Sequence, residues 1–323
     1  MEFPVTDGRP NLTSISDFLL LEFAEVRELQ ILHFFVFLAL YLTAMIGNLL
    51  IIILVRLDHH LHTPMYFFLM NLALMDMGTI SVMVPKSMTN SLMNSRTISY
   101  SGCVAQTFFL FFFGGSDFAL LTIMAHDRYV AICNPLQYEA IMTKGACIQM
   151  AMSAWICGVL YAVTHTSGTF TITFCSNVVD QFFCEVPKLI RLSCTDLYLV
   201  EVGLLVLSCS GMLGCFFFIV TSYVSIFTAV LRIPSAQGRQ KALSTCLPHL
   251  TVVSLLVFLG LFVYAMPSSN NSSGLNLVIS VIYTTLPSML NPFIYSMRNK
   301  EIQTALWKFL HQSSFPNRIS RLL

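Results

Sequence analysis

The sequence places several ionisable residues within or at the ends of long apolar stretches. Asp127, Arg128 and Tyr129 are consecutive in the stretch MAHDRYVAICNPLQY, at the end of one apolar run, and Asp76 and Asp117 lie inside two others. Charged groups at membrane depth are costly and usually have a function. A carboxylate beside an arginine at a helix end is able to form an ion pair that breaks and re-forms, which is the chemistry of a switch. The alternative interpretation is an interfacial anchor whose guanidinium reaches the lipid headgroups.

The two isolated carboxylates also have two interpretations. If Asp76 and Asp117 face a common interior, both are ionised only when a cation compensates them. Either Na⁺ lies between them or one carboxyl group is protonated. The alternative is that each carboxylate only satisfies its hydrogen bonds on neighbouring helices. We predict a sodium or proton site at Asp76 and Asp117.

The composition is that of a membrane protein. Of 323 residues, 56% are hydrophobic and 10% are charged, and the mean hydropathy is +0.74. Soluble domains carry about 25% charged residues. The net charge of +1 offers no basic field for nucleic acid, which is therefore excluded as a partner. The only apolar run among residues 1–30 is too short for a cleavable signal peptide, so the first spanning helix is expected to direct insertion.

Seven stretches are long enough to cross about 30 Å of hydrocarbon as helices. They are residues 29–55, 64–86, 99–126, 146–165, 199–230, 242–266 and 275–296. The sequence therefore predicts an all-α membrane protein with an N-terminal tail over 1–28, a seven-transmembrane helix bundle over 29–296 and a tail over 297–323. In that tail, apolar residues at helical spacing predict a short amphipathic helix along the inner membrane surface.

The distribution of basic residues predicts the orientation. With the N-terminus outside, six of the 17 Lys and Arg residues fall in outer segments and the remainder in inner ones. Cytoplasmic loops carry the excess of Lys and Arg, so an extracellular N-terminus and a cytoplasmic C-terminus are predicted. The sequon NLT makes Asn11, in the outer tail, the predicted glycosylation site. Asn270 and Asn271 also begin sequons, but they lie too close to a span to be good acceptors.

Four cysteines fall on the outer side in this topology: Cys103, Cys175, Cys184 and Cys194. Four cysteines in an oxidising compartment predict two disulfides. Three pairings exist, and their spacing does not separate them.

Several stretches in a fixed order resemble a rhodopsin-type (class A) G-protein-coupled receptor, and specifically an odorant receptor. They are GN at 47–48, LHTPMYFFL at 61–69, MAHDRYVAICNPLQY at 124–138, SY at 222–223, RIPSAQGRQKALSTCLPHL at 232–250 and PSMLNPFIYSMRNK at 287–300. The resemblance covers roughly residues 20–312. It implies a plasma-membrane receptor that binds a small hydrophobic, volatile ligand and activates a stimulatory G protein of the olfactory type, which raises cAMP.

The resemblance also implies roles for individual residues. Cys103 would pair with Cys184, and Cys175 with Cys194. Asp127 would restrain Arg128 at rest. On activation Arg128 would rearrange with Tyr223 and Tyr295 as spans five and six open a groove for the G-protein α-subunit. The implied activation switch comprises Asp127, Arg128, Tyr129, Tyr223, Asn291, Pro292 and Tyr295.

Four positions depart from the family pattern. His126 replaces a tyrosine before DRY, Asp117 replaces a glutamate, Pro248 a serine and Leu259 a tyrosine. Pro248 removes a backbone donor inside span six, which bears on the hinge and on basal activity.

The ligand pocket is predicted in the outer half of the bundle. Counting helical turns back from Arg128 and along the neighbouring spans gives Phe108, Leu110, Phe111, Gly114, Gly115, Leu207, Ser208, Gly211, Phe262, Tyr264, Val281 and Thr284. This apolar lining suits a small neutral ligand whose affinity is about micromolar or weaker. Amine receptors carry an aspartate at the level of Leu110, and span seven contains no lysine for a retinal Schiff base. Both ligand classes are therefore excluded.

Two other classes of protein fit the sequence less well. An intramembrane enzyme is disfavoured because the sequence contains neither H-E-x-x-H nor G-x-S-x-G. A channel or transporter that uses the intramembrane carboxylates is the alternative function, but no inverted repeat supports it. No cofactor is expected apart from Na⁺ at Asp76 and Asp117. The histidine cluster HHLH lies in a short inner loop and is not expected to bind a metal.

Overall fold

The computed structural model describes residues 15–22, 26–194, 198–265 and 273–311. Within these ranges the helices are α1 (Arg27–Leu57), α2 (Pro64–Met93), α3 (Tyr100–Cys133), α4 (Tyr138–Ile141), α5 (Lys144–Phe170), α6 (Val186–Ile190), α7 (Tyr198–Leu231), α8 (Ala236–Ala265), α9 (Ser273–Arg298) and α10 (Lys300–His311). Short 3-10 turns cover His59–Leu61 and Pro135–Gln137. The seven long helices correspond to the seven predicted spans.

Six of the described helices, α1, α2, α3, α5, α7 and α8, are long and apolar enough to cross a membrane. The seventh, α9, is more polar and buries Ser280, Thr285, Ser288 and Asn291. These polar groups face protein, because hydrocarbon offers them no hydrogen-bond partners. The predicted fold class, a seven-helix membrane bundle followed by a short helix, is confirmed.

Several helices extend beyond the predicted spans. Helix α2 continues to Met93 and α5 to Phe170, whereas hydropathy placed their ends at residues 86 and 165. Hydropathy marks the part of a helix that lies in hydrocarbon, but backbone hydrogen bonding continues into the interface. Helix α2 ends where Asn94 adopts a left-handed conformation (φ 50°), a common way to stop a helix.

The centre of the bundle depends on a close approach of α3 and α5. A Cβ added to Gly158 of α5 would overlap the Ser116 hydroxyl of α3 and lie 2.7 Å from the carbonyl oxygen of Phe112. Small residues let membrane helices approach closely, and packing then replaces the hydrophobic force that lipid does not supply. Gly158 therefore fixes the distance between these two helices.

The outer end carries a small sheet that the sequence did not predict. Strand β1 (Asp17–Leu20) lies between β2 (Thr97–Ser99), which is antiparallel to it, and β3 (Val178–Val179), which is parallel. Phe18 of β1 is fully buried. The N-terminal tail is thus tied to the two loops that carry β2 and β3.

Two disulfides reinforce this outer layer. They link Cys103 with Cys184 and Cys175 with Cys194, the pairing that the resemblance implies. The first joins the start of α3 to the loop that precedes α7, and the second closes a turn within that loop. Asn11, the predicted glycosylation site, lies outside the described residues.

We predict that Gly158→Ala lowers stability. The added methyl group forces α3 and α5 apart, and overpacking of this kind typically costs about 1–3 kcal/mol. The thermal unfolding midpoint of purified receptor in detergent, together with its amount at the cell surface, measures the loss.

The matched control is Gly145→Ala on the same helix, where an added Cβ meets nothing within 4 Å. Equal stability of the two variants would contradict the close approach described here.

Candidate functional site

The inner end of α3 carries a buried ion pair. The guanidinium of Arg128 donates to Asp127 Oδ2, and the two residues are 8% and 1% exposed. The Tyr138 hydroxyl of α4 donates to the other carboxylate oxygen of Asp127, at 2.8 Å. Burial and the neighbouring Asp127 carboxylate raise the pKa of Tyr138, which keeps this phenol a donor. Asp127 is thus held from two sides, in the arrangement expected of a resting switch.

A second polar chain lies beside this pair and joins three helices. His249 Nε2 of α8 lies 2.9 Å from the Leu121 carbonyl oxygen of α3, and its Nδ1 lies 2.8 Å from the Tyr223 hydroxyl of α7. A carbonyl oxygen only accepts, so in the neutral ring Nε2 carries the proton. Nδ1 then accepts from Tyr223. This chain fixes α7 and α8 against α3 while Arg128 is occupied by Asp127.

The space around Arg128 is a narrow cavity with room for little more than a water molecule. Its lining residues are Met65, Met124, Asp127, Arg128, Thr245, Pro248, His249, Tyr295 and Asn299. A helix with its side chains is about 10 Å across. The cavity therefore does not admit a partner helix and is closed in this structure.

The remaining predicted switch residues take different positions. Tyr295 is buried at the cavity, and its hydroxyl has no hydrogen-bond partner among the described residues. Asn291 donates to Asp76 at 2.8 Å, and a Cβ added to Gly47 would lie 3.1 Å from the Pro292 ring. Tyr129 packs against the main hydrophobic cluster. The structure therefore brings Tyr295 to Arg128 but leaves Tyr129 outside the polar network.

The two intramembrane carboxylates lie on the neighbouring helices α2 and α3. Asp76 is 2% exposed and accepts from Asn291. Asp117 Oδ1 and Asn291 Oδ1 are buried without a hydrogen-bond partner in the described part of the chain. Unpaired carboxylate and amide oxygens of this kind suit a hard cation or a proton.

Helix α10 is held in place by contacts with the start of α2 and with the loop that precedes α2. The Tyr66 hydroxyl at the start of α2 lies 2.9 Å from Asn299 Oδ1 and 2.7 Å from Glu301 Oε2. Lys308 Nζ of α10 lies 3.4 Å from Asp58 Oδ2. Burial alone would raise the pKa of Asp58, but the hydrogen bonds from the His60 backbone and from Lys308 outweigh it and hold that pKa below its usual value. The PMY motif thus positions the short helix, a role that the sequence did not reveal.

The outer loop before α7 lies over the bundle and is fastened to α9. Gln181 Nε2 donates to Ser280 Oγ at 2.7 Å, and the Tyr283 hydroxyl donates to Glu185 Oε1 at 3.0 Å. Phe182, between them, is buried in the cluster that Leu110 contacts. The loop therefore forms the outer boundary of the predicted pocket.

The predicted pocket residues divide into three groups. Leu110 and Val281 pack in that cluster beneath the loop, Ser208 is half-buried, and Gly114 is exposed, with nothing within 4 Å of a Cβ added to it. Phe108 is half-buried against Phe109, and Thr284 is buried with its hydroxyl bonded to its own helix. Phe262 and Tyr264 lie in α8, but their side chains fall outside the described residues.

Two predictions for the pocket, both on α7, are wrong. Leu207 is 70% exposed on the surface of the helix, and Gly211, one helical turn further on, is exposed as well, so neither points into the bundle. Helix α7 is apolar on every side, and its sequence therefore does not define an inner face. A Cβ added to Gly115 would lie 3.0 Å from Tyr161 of α5, so this glycine takes part in the packing of α3 against α5.

Comparisons with known proteins agree with this arrangement. A family model described as "Olfactory receptor" matches residues 37–313. The chain is 50% identical to human olfactory receptor 14I1 over 92% of this chain and 96% of the relative. It is 47% identical to human olfactory receptor 14A16 over the same shares, and 46% identical to human olfactory receptor 5A1 over 94% and 96%.

The seven-helix bundle and these relatives together define a membrane receptor and not an enzyme. The chain belongs to the olfactory receptor family. It is accordingly an odorant receptor of the plasma membrane, and activation of a G protein is the general role of its family.

We predict that Tyr138→Phe raises basal activity. Asp127 loses one of its two donors, which weakens the restraint on Arg128 by about 1 kcal/mol and increases the active fraction several-fold. Basal cAMP in transfected cells, normalised to surface receptor, measures the effect.

Tyr41→Phe is the control, because it removes a tyrosine hydroxyl that contacts Ser81 in the outer part of the bundle. Basal cAMP that is equal in Tyr138→Phe, Tyr41→Phe and the unaltered receptor would show that Tyr138 does not hold the switch.

Proposed function

We propose that this receptor binds a small, neutral, mainly apolar odorant in the outer half of the bundle and activates a stimulatory G protein of the olfactory type, raising cAMP. The observation that carries the proposal is the buried Asp127–Arg128 pair beside a cavity too small for a partner helix. Such a pair has two discrete arrangements, and a ligand that binds one better shifts the population.

The proposed route starts from the contacts that hold α7 and α8 against α3. An odorant that settles between the outer halves of these helices changes their packing. The Tyr223–His249–Leu121 chain then breaks, and Arg128 leaves Asp127. Tyr295, whose hydroxyl has no partner among the described residues, is the group placed to meet Arg128 in the open state. The C-terminal helix of the G-protein α-subunit occupies the enlarged cavity.

In this proposal the N-terminus is extracellular and the C-terminus cytoplasmic. The distribution of Lys and Arg supports this orientation, as do disulfides at the end of the bundle that carries β1. Trp307 and Leu310 of α10 are 62% and 66% exposed, an apolar face suited to the inner leaflet. Lipid is therefore the partner proposed for α10.

We also propose that Asp76 and Asp117 hold Na⁺ or a shared proton in the resting state. The buried unpaired oxygens Asp117 Oδ1 and Asn291 Oδ1 fit a small cation. Occupancy would tie α2, α3 and α9 together, and these helices must shift for Arg128 to be released.

The proposed function is tested with Arg128→Ala. The receptor is co-expressed in cells with a G protein, either of the olfactory type or of another type. Odorant-stimulated cAMP is expected to fall by at least tenfold with surface expression intact, because the open state loses its central cation. A cAMP response that persists at full size, or an ion flux without any G protein, would contradict the proposal.

The sodium proposal has a separate test. Raising external sodium in exchange for choline is expected to lower basal and odorant-stimulated cAMP, because Na⁺ binds the resting state better than the open one. Asp76→Asn removes one carboxylate and is expected to abolish this dependence. A sodium response of the same size in Asp76→Asn would exclude Asp76 as a ligand.

A further inference from the structure

His165 is a fully buried histidine that the switch does not use. It lies on α5, and its Nε2 is 2.6 Å from Ser208 Oγ on α7. Its ring stacks on Phe111 of α3, with centroids 4.8 Å apart and planes inclined by 26°, and contacts Tyr161 edge-on at 4.6 Å. Three helices therefore meet at this one side chain, and two of them, α3 and α7, carry predicted pocket residues.

Helix α3 is open at one position beside this junction. Gly114 follows Phe111 by one helical turn, is exposed, and a Cβ added to it would meet nothing within 4 Å. Phe111 and Gly115 instead pack against Tyr161 of α5: the ring centroids of Phe111 and Tyr161 lie 5.3 Å apart, and a Cβ added to Gly115 would lie 3.0 Å from Tyr161. Space next to α3 is therefore found at Gly114 and not on the side of Tyr161.

The hydrogen-bond capacity of this pair is not exhausted. A serine hydroxyl offers one donor and two acceptor sites, and Ser208 makes one side-chain hydrogen bond in the described part of the chain. If His165 Nε2 carries the proton, it donates to Ser208, whose own proton is then available to a carbonyl oxygen. If Nε2 carries no proton, the Ser208 hydroxyl donates to Nε2, and the Ser208 oxygen is then able to accept from the hydroxyl of an alcohol. The pair is therefore able to bind either kind of oxygen.

The charge of this region favours a neutral ligand. Helix α5 contains no Lys or Arg after Lys144, at its cytoplasmic end, and α7 contains none. An anionic ligand would have no counter-ion from these helices, and an unpaired charge in an apolar site is strongly unfavourable. A hydrocarbon would leave the free valence of Ser208 unsatisfied, which also costs free energy.

We propose that His165 and Ser208 form the specificity-determining hydrogen-bonding site of the odorant pocket. The pair selects neutral molecules with one oxygen function, such as an aldehyde, ketone or alcohol, over hydrocarbons of the same shape. Phe111 and the space beside Gly114 receive the apolar remainder. This inference rests on the proposed function, because it places the ligand in the outer half of the bundle.

The test uses the full-length receptor at the cell surface and a panel in which only the head group changes. Alkanes are compared with the matching alcohols, aldehydes and ketones on linear, branched, cyclic and aromatic skeletons. In the unaltered receptor, oxygenated members are expected to be the agonists.

His165→Phe keeps the stacked ring and removes both nitrogens, and Ser208→Ala removes the hydroxyl. Each is expected to raise the half-maximal concentration for oxygenated agonists by about ten- to a hundredfold, with hydrocarbons unaffected.

Matched controls come from the same two helices. Thr164→Val and Ser210→Ala alter exposed hydroxyls that bond their own helices, at 2.7 Å to Leu160 O and 2.8 Å to Val206 O. Both are expected to leave agonist potency unchanged.

The double variant of His165 and Ser208 is expected to lose no more agonist potency than the single variant with the larger loss, because the two residues act as one unit. If His165→Phe fails to reach the surface, Ser208→Ala against Ser208→Thr, which restores a hydroxyl, decides the question.

Equal activation of the unaltered receptor by hydrocarbons and oxygenated analogues would overturn this inference while leaving the proposed function intact. So would unchanged head-group selectivity in Ser208→Ala. Failure of every compound to activate a receptor that is at the surface would contradict the proposed function itself.

Discussion

The membrane interior offers no partner for a charged side chain, and this constraint governs the inner end of α3. Arg128 is 8% exposed and needs an anion within the protein. Asp127 supplies it, and Tyr138 fixes that carboxylate from α4. Removing one partner of a buried pair leaves an uncompensated charge, at a cost of about 3–5 kcal/mol. The resting structure therefore persists until another arrangement of α3, α7 and α8 gives Arg128 new acceptors.

A small ligand has a small binding free energy, and this limits how far the resting state can be more stable than the open state. A micromolar ligand contributes about 8 kcal/mol of binding free energy in total. Moving a two-state equilibrium from 1:99 to 99:1 takes about 5.5 kcal/mol of preference for one state. A small odorant supplies only part of that, so the resting and open states must differ by no more than a few kcal/mol. The single hydroxyl of Tyr138 and the Tyr223–His249–Leu121 chain are restraints of this scale. In the proposed opening, the outer disulfide at Cys103 and the Gly158 contact would keep α3 in place while its surroundings move.

The fold could be predicted from the sequence because a helix that crosses a membrane must have a minimum length and a high hydropathy. The same requirement is silent about which face of an apolar helix points inward, and Leu207 was misplaced on α7 for that reason. Strand Asp17–Leu20 was missed because four residues carry little periodicity and their partners lie in distant loops. Within the site, the sequence identified Arg128, Asp127 and Asp76 because they are charged residues inside or at the end of apolar stretches. Tyr138 and His165 were not found, because an uncharged or aromatic side chain in such a chain is unremarkable until the structure shows its partners.

The most direct measurement is the distance between the inner ends of α4 and α8, by pulsed electron resonance between spin labels at Glu139→Cys and Gln240→Cys. Both positions are exposed at the end of the bundle proposed to be cytoplasmic, and the other free cysteines would be replaced. One short distance is expected at rest and a second, longer distance with agonist. Asp127→Asn is expected to populate the longer distance without ligand. A single short distance under all three conditions would contradict the claim that this ion pair holds the receptor closed.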